Sequence, residues 1–176
     1  MSVLVAYASR YGATRQIAQH IAAVLTVAGL DVRVRPTTVV DDVRGHEAVI
    51  LGSSVYRGHW MEQATAFVDL HHDALVERPT WLFSSGLLGP DQPHSDLDRL
   101  AEELGARDRQ AFGGALEVGR LDLIDRVLRL KPARRRVLPP GDYRDWDSIE
   151  GWAHRIATEL APSVTPGFTP GLTPGA

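Results

Sequence analysis

Five residues near the start of the chain have the chemistry needed to hold a phosphate group. Ser9 and Thr14 carry hydroxyls that can donate to phosphate oxygens, and Gly12 lets the backbone curl so that successive N–H groups converge. Arg10 and Arg15 add positive charge. The stretch lacks the glycine patterns of nucleoside-triphosphate and dinucleotide loops, which disfavours both ligands. On these residues alone, a purely structural turn is the alternative.

The residues on either side of this turn predict a strand and a helix. Val3 and Val5 lie in a short apolar run typical of a buried strand. A helix is expected to start near Thr14, with its hydroxyl as the cap, and to stop at Gly29. Its apolar face would consist of Ile17, Ile21, Val24, Leu25 and Ala28. Strand, polar turn and helix together present free N–H groups and a positive dipole end to an anion.

Strand and helix patterns alternate along the rest of the chain. Further strands are predicted at residues 31–35, 48–53 and 80–84 and within 110–116, the first of them an edge or half-exposed strand. Helices are predicted around residues 64–71, 97–104, 121–130 and 149–160, the last capped by Asp147 or Ser148. Such alternation implies right-handed crossovers between parallel strands. The predicted fold is therefore α/β, a single doubly wound sheet of five parallel strands.

The composition is that of an ordinary globular protein. Of 176 residues, 44% are apolar and 23% are charged, and the net charge of −3 gives no reason to expect nucleic acid. No cysteine is present, which excludes disulfides and thiolate chemistry, and the absence of a His-x-x-x-His pattern argues against a metal. With no export signal or membrane-length apolar run, a cytoplasmic location is expected. Residues 1–161 are predicted to form one domain, and residues 162–176, with three Thr-Pro-Gly repeats, a disordered tail.

Ligands of a doubly wound sheet bind at the carboxyl ends of its strands. This rule selects three loops, at residues 9–14, 53–59 and 84–90. All three have the small, polar, glycine-containing composition of a binding site.

These loops resemble those of flavodoxins, which bind FMN. Residues 9–15 are similar to the flavodoxin phosphate loop, and residues 52–60 resemble the loop that contacts the isoalloxazine ring. Within that family the chain is most similar to the flavodoxin-domain proteins known as menaquinone-dependent protoporphyrinogen oxidases. That branch is supported by Thr14-Arg15, by Gly113-Gly114-Ala115-Leu116 with Arg120-Leu121-Asp122, and by Asp145-Trp146. The resemblance spans residues 2–161.

The resemblance implies a flavodoxin-like fold of strand order 2-1-3-4-5 with one bound FMN. The positions matching the phosphate loop are Ser9, Arg10, Tyr11, Gly12, Ala13 and Thr14. Those expected along one side of the flavin ring are Ser53, Ser54, Val55, Tyr56, Arg57 and Gly58. Those expected along its other side are Ser85, Gly86, Leu87, Leu88 and Gly89. No catalytic acid or base is predicted.

Departures from the flavodoxin pattern favour an enzyme over an electron carrier. Arg10 and Tyr11 stand where flavodoxins prefer hydroxyl residues, and residues 85–89 lack the usual aromatic, which leaves room for a planar substrate. Arg57 and His59 would stabilise an anionic reduced flavin and raise its potential. The function expected is an FMN-dependent oxidoreductase of haem biosynthesis, acting on a small molecule such as a porphyrinogen, with a quinone or redox protein as partner. The alternatives are a flavodoxin-type electron carrier and a module that has lost its cofactor.

A basic segment follows the fifth predicted strand. Between Arg126 and Arg136 there are six basic and no acidic residues: Arg126, Arg129, Lys131, Arg134, Arg135 and Arg136. It could rest on anionic lipid at the inner face of a membrane or bind the carboxylates of a porphyrin. The alternative is an exposed helix end whose arginines complement the dipole.

Overall fold

The computed structural model describes residues 1–56, 58–86, 95–116 and 141–161. Its helices are α1 (Ala13–Val27), α2 (Glu62–Val76), α3 (Ser95–Leu104) and α4 (Trp146–Leu160), with a 3-10 turn at Thr37–Val39. Its strands are β1 (Ser2–Ala8), β2 (Asp31–Pro36), β3 (Ala48–Tyr56), β4 (His59–Trp60), β5 (Thr80–Gly86), β6 (Asp108–Gly113), β7 (Ala115–Leu116) and β8 (Gly141–Asp142). Arg57, Leu87, Leu88, Gly89, the helix expected over 121–130, the basic segment Arg126–Arg136 and the tail 162–176 lie outside the described residues.

The main sheet has the order β2-β1-β3-β5-β6, and all neighbours in this series are parallel. β4 is a two-residue antiparallel strand that folds back on β3, and β7 and β8 form a separate antiparallel pair. Once β4 is set apart, the order is the 2-1-3-4-5 expected of a flavodoxin-like fold. The predicted fold class is confirmed.

Helices cover both faces of the sheet. Because alternate residues of a strand point to opposite faces, Val3 and Val5 pack with α1 and α4, whereas Leu4 and Ala6 pack with α2 and α3. Burial on both faces explains why the central strands read as unbroken apolar runs. The predicted edge strand β2 instead alternates exposed and half-buried residues, and its exposed charges discourage pairing with another chain.

The predicted start of α1 is nearly right, but its predicted cap is wrong. The capping position is Gly12, in the left-handed conformation at φ 94°, and no side chain caps the helix. Thr14 lies one residue inside the helix, facing the sheet, so its hydroxyl bonds elsewhere. At the other end, Gly29 (φ 89°) donates to the Thr26 carbonyl at 3.0 Å and closes the helix as predicted.

α4 buries the whole predicted apolar face: Ile149, Trp152, Ala153, Ile156, Ala157 and Leu160. The prediction of its cap was wrong. Asp145, in extended conformation just before the helix, accepts a hydrogen bond from the Ser148 N–H at 3.1 Å. Asp147 and Ser148 lie inside the first turn, and Ser148 supplies the backbone N–H that Asp145 caps.

β6 begins two residues before the predicted range. Asp108 and Arg109 extend the pairing with β5, and Asp108 also accepts a hydrogen bond from the buried Trp152 indole at 2.8 Å. The predicted close approach at the glycine pair is confirmed, since a Cβ on Gly113 would lie 1.9 Å from the Tyr143 carbonyl oxygen. No helix in the described part of the chain combines the length and apolarity required to cross a membrane.

Candidate functional site

The carboxyl ends of β1, β3 and β5 carry small residues at one level of the sheet, and those of β3 and β5 are serines. The register sets Ser53 between Ala8 and Ser84. One residue further along, Ser54 lies beside Ser85. A parallel sheet brings its strand ends to a common edge, so the strand ends from which the three selected loops leave lie beside one another.

The turn at residues 9–12 joins β1 to α1 and leaves backbone donors open. The Gly12 N–H donates to Ser9 Oγ at 3.1 Å, and the Gly12 carbonyl accepts the N–H of Gln16 at 3.1 Å, which closes the first turn of α1. The helix has no side-chain cap and no acidic residue in this turn. The first N–H groups of α1 therefore keep their donors for an anion, supported by the positive end of the helix dipole.

A cleft of about 400 Å³ opens on this turn. Its lining consists of Tyr7, Ser9, Arg10, Tyr11, Gly12 and Arg15. Arg10 Nε donates to the Tyr11 hydroxyl at 2.8 Å, and its guanidinium carbon lies 5.4 Å from the ring centroid. Sequence reasoning missed Tyr7, whose hydroxyl-bearing side chain near the end of an apolar strand was the available signal.

The Thr14 hydroxyl lies behind the turn, against the end of β5. Thr14 Oγ1 and Ser85 Oγ share a hydrogen bond of 2.8 Å, and both residues are buried. Ser54 Oγ, on the strand next to Ser85, is buried and has no hydrogen-bond partner among the described residues. A buried hydroxyl without a partner costs about 1–3 kcal/mol, so a polar ligand atom would be favoured there.

The β3–β4 hairpin forms the second side of the candidate site. Ser53 Oγ accepts the Met61 N–H at 3.0 Å and so fixes the strand that returns from the hairpin. His59 is exposed, and its Nδ1 lies 3.3 Å from Asp96 Oδ2, an atom that also accepts the Trp60 N–H at 2.9 Å. Asp96 was missed from sequence, and its carboxylate offsets the positive charge expected at His59.

The remaining predicted site residues lie at the end of β5 and in the β3–β4 hairpin, and their roles stay predictions. Gly86 ends β5, and its carbonyl accepts the Gly114 N–H at 2.8 Å. Val55 pairs with Trp60 in the hairpin, and Tyr56 pairs with His59. Gly58 adopts φ 87°, which a two-residue hairpin turn favours. Within the described ranges, no three His, Asp or Glu side chains are placed to hold a metal ion.

The chain is similar in sequence to a family of flavodoxin domains and to a dehydrogenase, and similar in fold to flavodoxins of known structure. The flavodoxin domain family matches residues 4–129. Protoporphyrinogen IX dehydrogenase (quinone) of Escherichia coli K12 is 24% identical over 172 residues, covering 89% of this chain and 95% of that protein. Oxidised flavodoxin 1 from Bacillus cereus has a TM-score of 0.65 at 16% identity, covering 92% of this chain and 100% of that one. A Streptococcus pneumoniae flavodoxin has a TM-score of 0.61 at 21% identity, covering 91% and 100%.

Proposed function

The chain belongs to the flavodoxin family, and we propose that it binds FMN and oxidises a planar organic substrate. The substrate class we propose is a porphyrinogen, with a quinone as electron acceptor, which would place the reaction in haem biosynthesis. The observation that carries this proposal is the relationship to the E. coli dehydrogenase, which covers 89% of this chain and 95% of that protein. When bound, FMN supplies the redox chemistry, and the protein supplies binding, orientation and electrostatics.

The residues of the β1–α1 turn fit a phosphate. Open N–H groups follow Gly12, and Arg10 and Arg15 line the cleft without any carboxylate among its described lining residues. Helix N-termini bind phosphate because the free N–H groups point at the ligand and the dipole favours negative charge. These residues would anchor the FMN phosphate.

The ends of β3 and β5 fit the polar part of a flavin ring. Ser54 offers a buried hydroxyl without a partner in the described part of the chain, next to Ser85. The β3–β4 hairpin, fixed by Ser53 and Asp96, would orient the ring from one side. The role of these groups is to bind and orient the ring, and we assign no residue a proton-transfer step.

A flavodoxin-type electron carrier is the second candidate. Asp96 favours it, because a carboxylate beside the hairpin opposes the accumulation of negative charge on a reduced flavin. On this reading the reductant is a protein and no small-molecule substrate exists.

Two measurements separate these readings. Titration of the cofactor-free protein should quench FMN fluorescence saturably, and a failure to do so would remove both candidates. The loaded protein should then lose its flavin absorbance on anaerobic mixing with protoporphyrinogen IX and recover it on addition of a menaquinone analogue. Reduction by a reduced redox protein, with none by the porphyrinogen, would favour the carrier.

A further inference from the structure

Arg144 is a largely buried arginine that links the returning end of the chain to the helix beside the candidate phosphate site. Its side chain is 10% exposed. It lies three residues after β8 begins and two before α4 starts. From there, its Nη1 donates to Oε1 of Gln16 in the first turn of α1, a residue 128 positions away.

The guanidinium is held from two further sides. Asp142 accepts from Arg144 Nε at 2.7 Å and from Nη2 at 2.6 Å, so the two side chains form a bidentate pair. The guanidinium carbon lies 4.6 Å from the ring centroid of Trp146. The proximity of Arg144 also holds the pKa of the Asp142 carboxyl below its usual value. The guanidinium nitrogens are hydrogen-bonded and the guanidinium plane lies against the Trp146 ring, so the Arg144 side chain has little freedom to move.

The backbone around this pair is tied to the end of the sheet. The Tyr143 N–H donates to the Gly114 carbonyl at 2.9 Å, and the Gly114 N–H donates to the Gly86 carbonyl at 2.8 Å. Arg144 therefore connects the carboxyl end of β5 to the first turn of α1.

We propose that Arg144 is a positioning residue for the cofactor phosphate, holding Gln16 and thereby the first turn of α1 in its binding geometry. The proposal rests on the proposed binding of FMN. Gln16 is the residue whose N–H closes that turn on the Gly12 carbonyl, so holding its side chain restrains the turn that carries the open N–H groups. Asp142 neutralises the charge of Arg144, so the effect is one of position and not of electrostatic attraction.

The two mechanisms make opposite predictions for Asp142→Asn. If Arg144 positions the turn, loss of the carboxylate loosens the guanidinium and weakens FMN binding. If Arg144 acts by charge, removal of the neutralising carboxylate tightens binding.

The test compares dissociation constants for FMN and for riboflavin, which lacks the phosphate, in the full-length protein. We expect Arg144→Met and Gln16→Met each to weaken FMN binding by about tenfold, by analogy with the lower end of what loss of an outer-shell partner costs at metal sites. Riboflavin binding should not change, and the double variant should be no worse than either single one. Arg109→Met is the matched control: it breaks the ion pair with Asp98 and changes the net charge equally, at the opposite end of the sheet.

A second readout needs no cofactor. The amide of Gln16 should exchange with solvent faster in Arg144→Met than in Arg109→Met. Equal exchange in the two variants, tighter FMN binding by Asp142→Asn, or an equal loss of riboflavin binding would each overturn the positioning role. If the unaltered protein binds no FMN but the exchange difference is present, the proposed function fails while the restraint on the turn stands.

Discussion

The β1–α1 turn and the β3–β4 hairpin form two sides of one candidate site, and they are built differently. The turn depends on residues adjacent in sequence: Gly12, Ser9 and the open N–H groups of the following helix. The conformation of the hairpin depends on Asp96 of α3, a residue distant in sequence. Its carboxylate accepts a hydrogen bond from the Trp60 N–H and lies within contact distance of His59 Nδ1. The side proposed to bind the phosphate is therefore encoded locally, whereas the side proposed to hold the flavin ring depends on the packing of α3.

The charges on the two sides also differ. Arg10 and Arg15 line the cleft at the turn, which suits a phosphate. At the hairpin, the carboxylate of Asp96 faces His59, so the described part of that side lacks the positive excess expected from sequence. If the proposed function holds, the anchoring of the FMN phosphate and the tuning of the flavin potential belong to separate regions.

The largest expected effect is on the strand that leads to the hairpin. A Cβ on Gly52 would lie 2.0 Å from Cζ of the buried Phe83 ring, so Gly52→Ala forces the core apart. We expect the free energy of unfolding to fall by about 1–3 kcal/mol, as measured by urea denaturation. Gly45→Ala is the control, since a Cβ there meets nothing within 4 Å. Equal losses in the two variants would contradict the packing argument.

The second expected effect is on the β1–α1 turn, at Gly12. Gly12 has φ 94°, where a side chain costs about 1–2 kcal/mol, so Gly12→Val should straighten the turn and strongly weaken FMN binding. Gly29→Val is the control, because Gly29 has φ 89° and open space around it, far from the cleft. Both variants should lose stability, and only the first should lose FMN affinity in a fluorescence titration. Unchanged FMN binding by Gly12→Val would separate the turn from the phosphate.

Ser54→Ala should change the stability of the cofactor-free protein and its affinity for riboflavin in opposite directions. Removing a buried hydroxyl without a described partner should stabilise the cofactor-free protein by about 1 kcal/mol and weaken riboflavin binding. Ser84→Ala is the control. Its hydroxyl is also buried without a described partner, but by strand alternation it points with Leu82 toward α2 and α3. Thermal denaturation and riboflavin titration test the pair, and equal riboflavin affinities would remove Ser54 from the site.

The smallest effect concerns the pH dependence of stability on the turn side. The hydrogen bonds from Arg144 lower the pKa of Asp142 from 3.8. The stabilisation is complete above the unfolded value and is lost as the pH falls through the lower, folded value. As the pH falls below about 4, Asp142→Asn should therefore lose less stability than the unaltered protein does. Denaturant midpoints across this range provide the measurement, and parallel curves would show that the pair adds no stability.

Local sequence patterns were enough to predict the main strands and helices and the strand-end loops of the candidate site. Apolar residues at strand and helix spacing predicted β1, β3, β5 and α4 because burial dictates these periods wherever the elements pack. Strand–helix alternation then required parallel pairing, which brings the carboxyl ends of β1, β3 and β5 to one edge of the sheet. The turn at Gly12 was also predictable, since its glycine and hydroxyl groups act over a few residues.

The contacts between side chains across the candidate site could not be predicted from sequence, because they join residues that are far apart in the chain. Thr14 was expected to cap its helix, but the register of β5 brings Ser85, a residue 71 positions away, to its hydroxyl. Asp96 reaches the hairpin, and Arg144 reaches Gln16, across separations of 36 and 128 residues. These contacts depend on strand register and on the packing angles of helices, and no local pattern records either. A binding site made by adjacent residues can be predicted from the sequence, whereas contacts between distant residues form only when the sheet and its helices have packed.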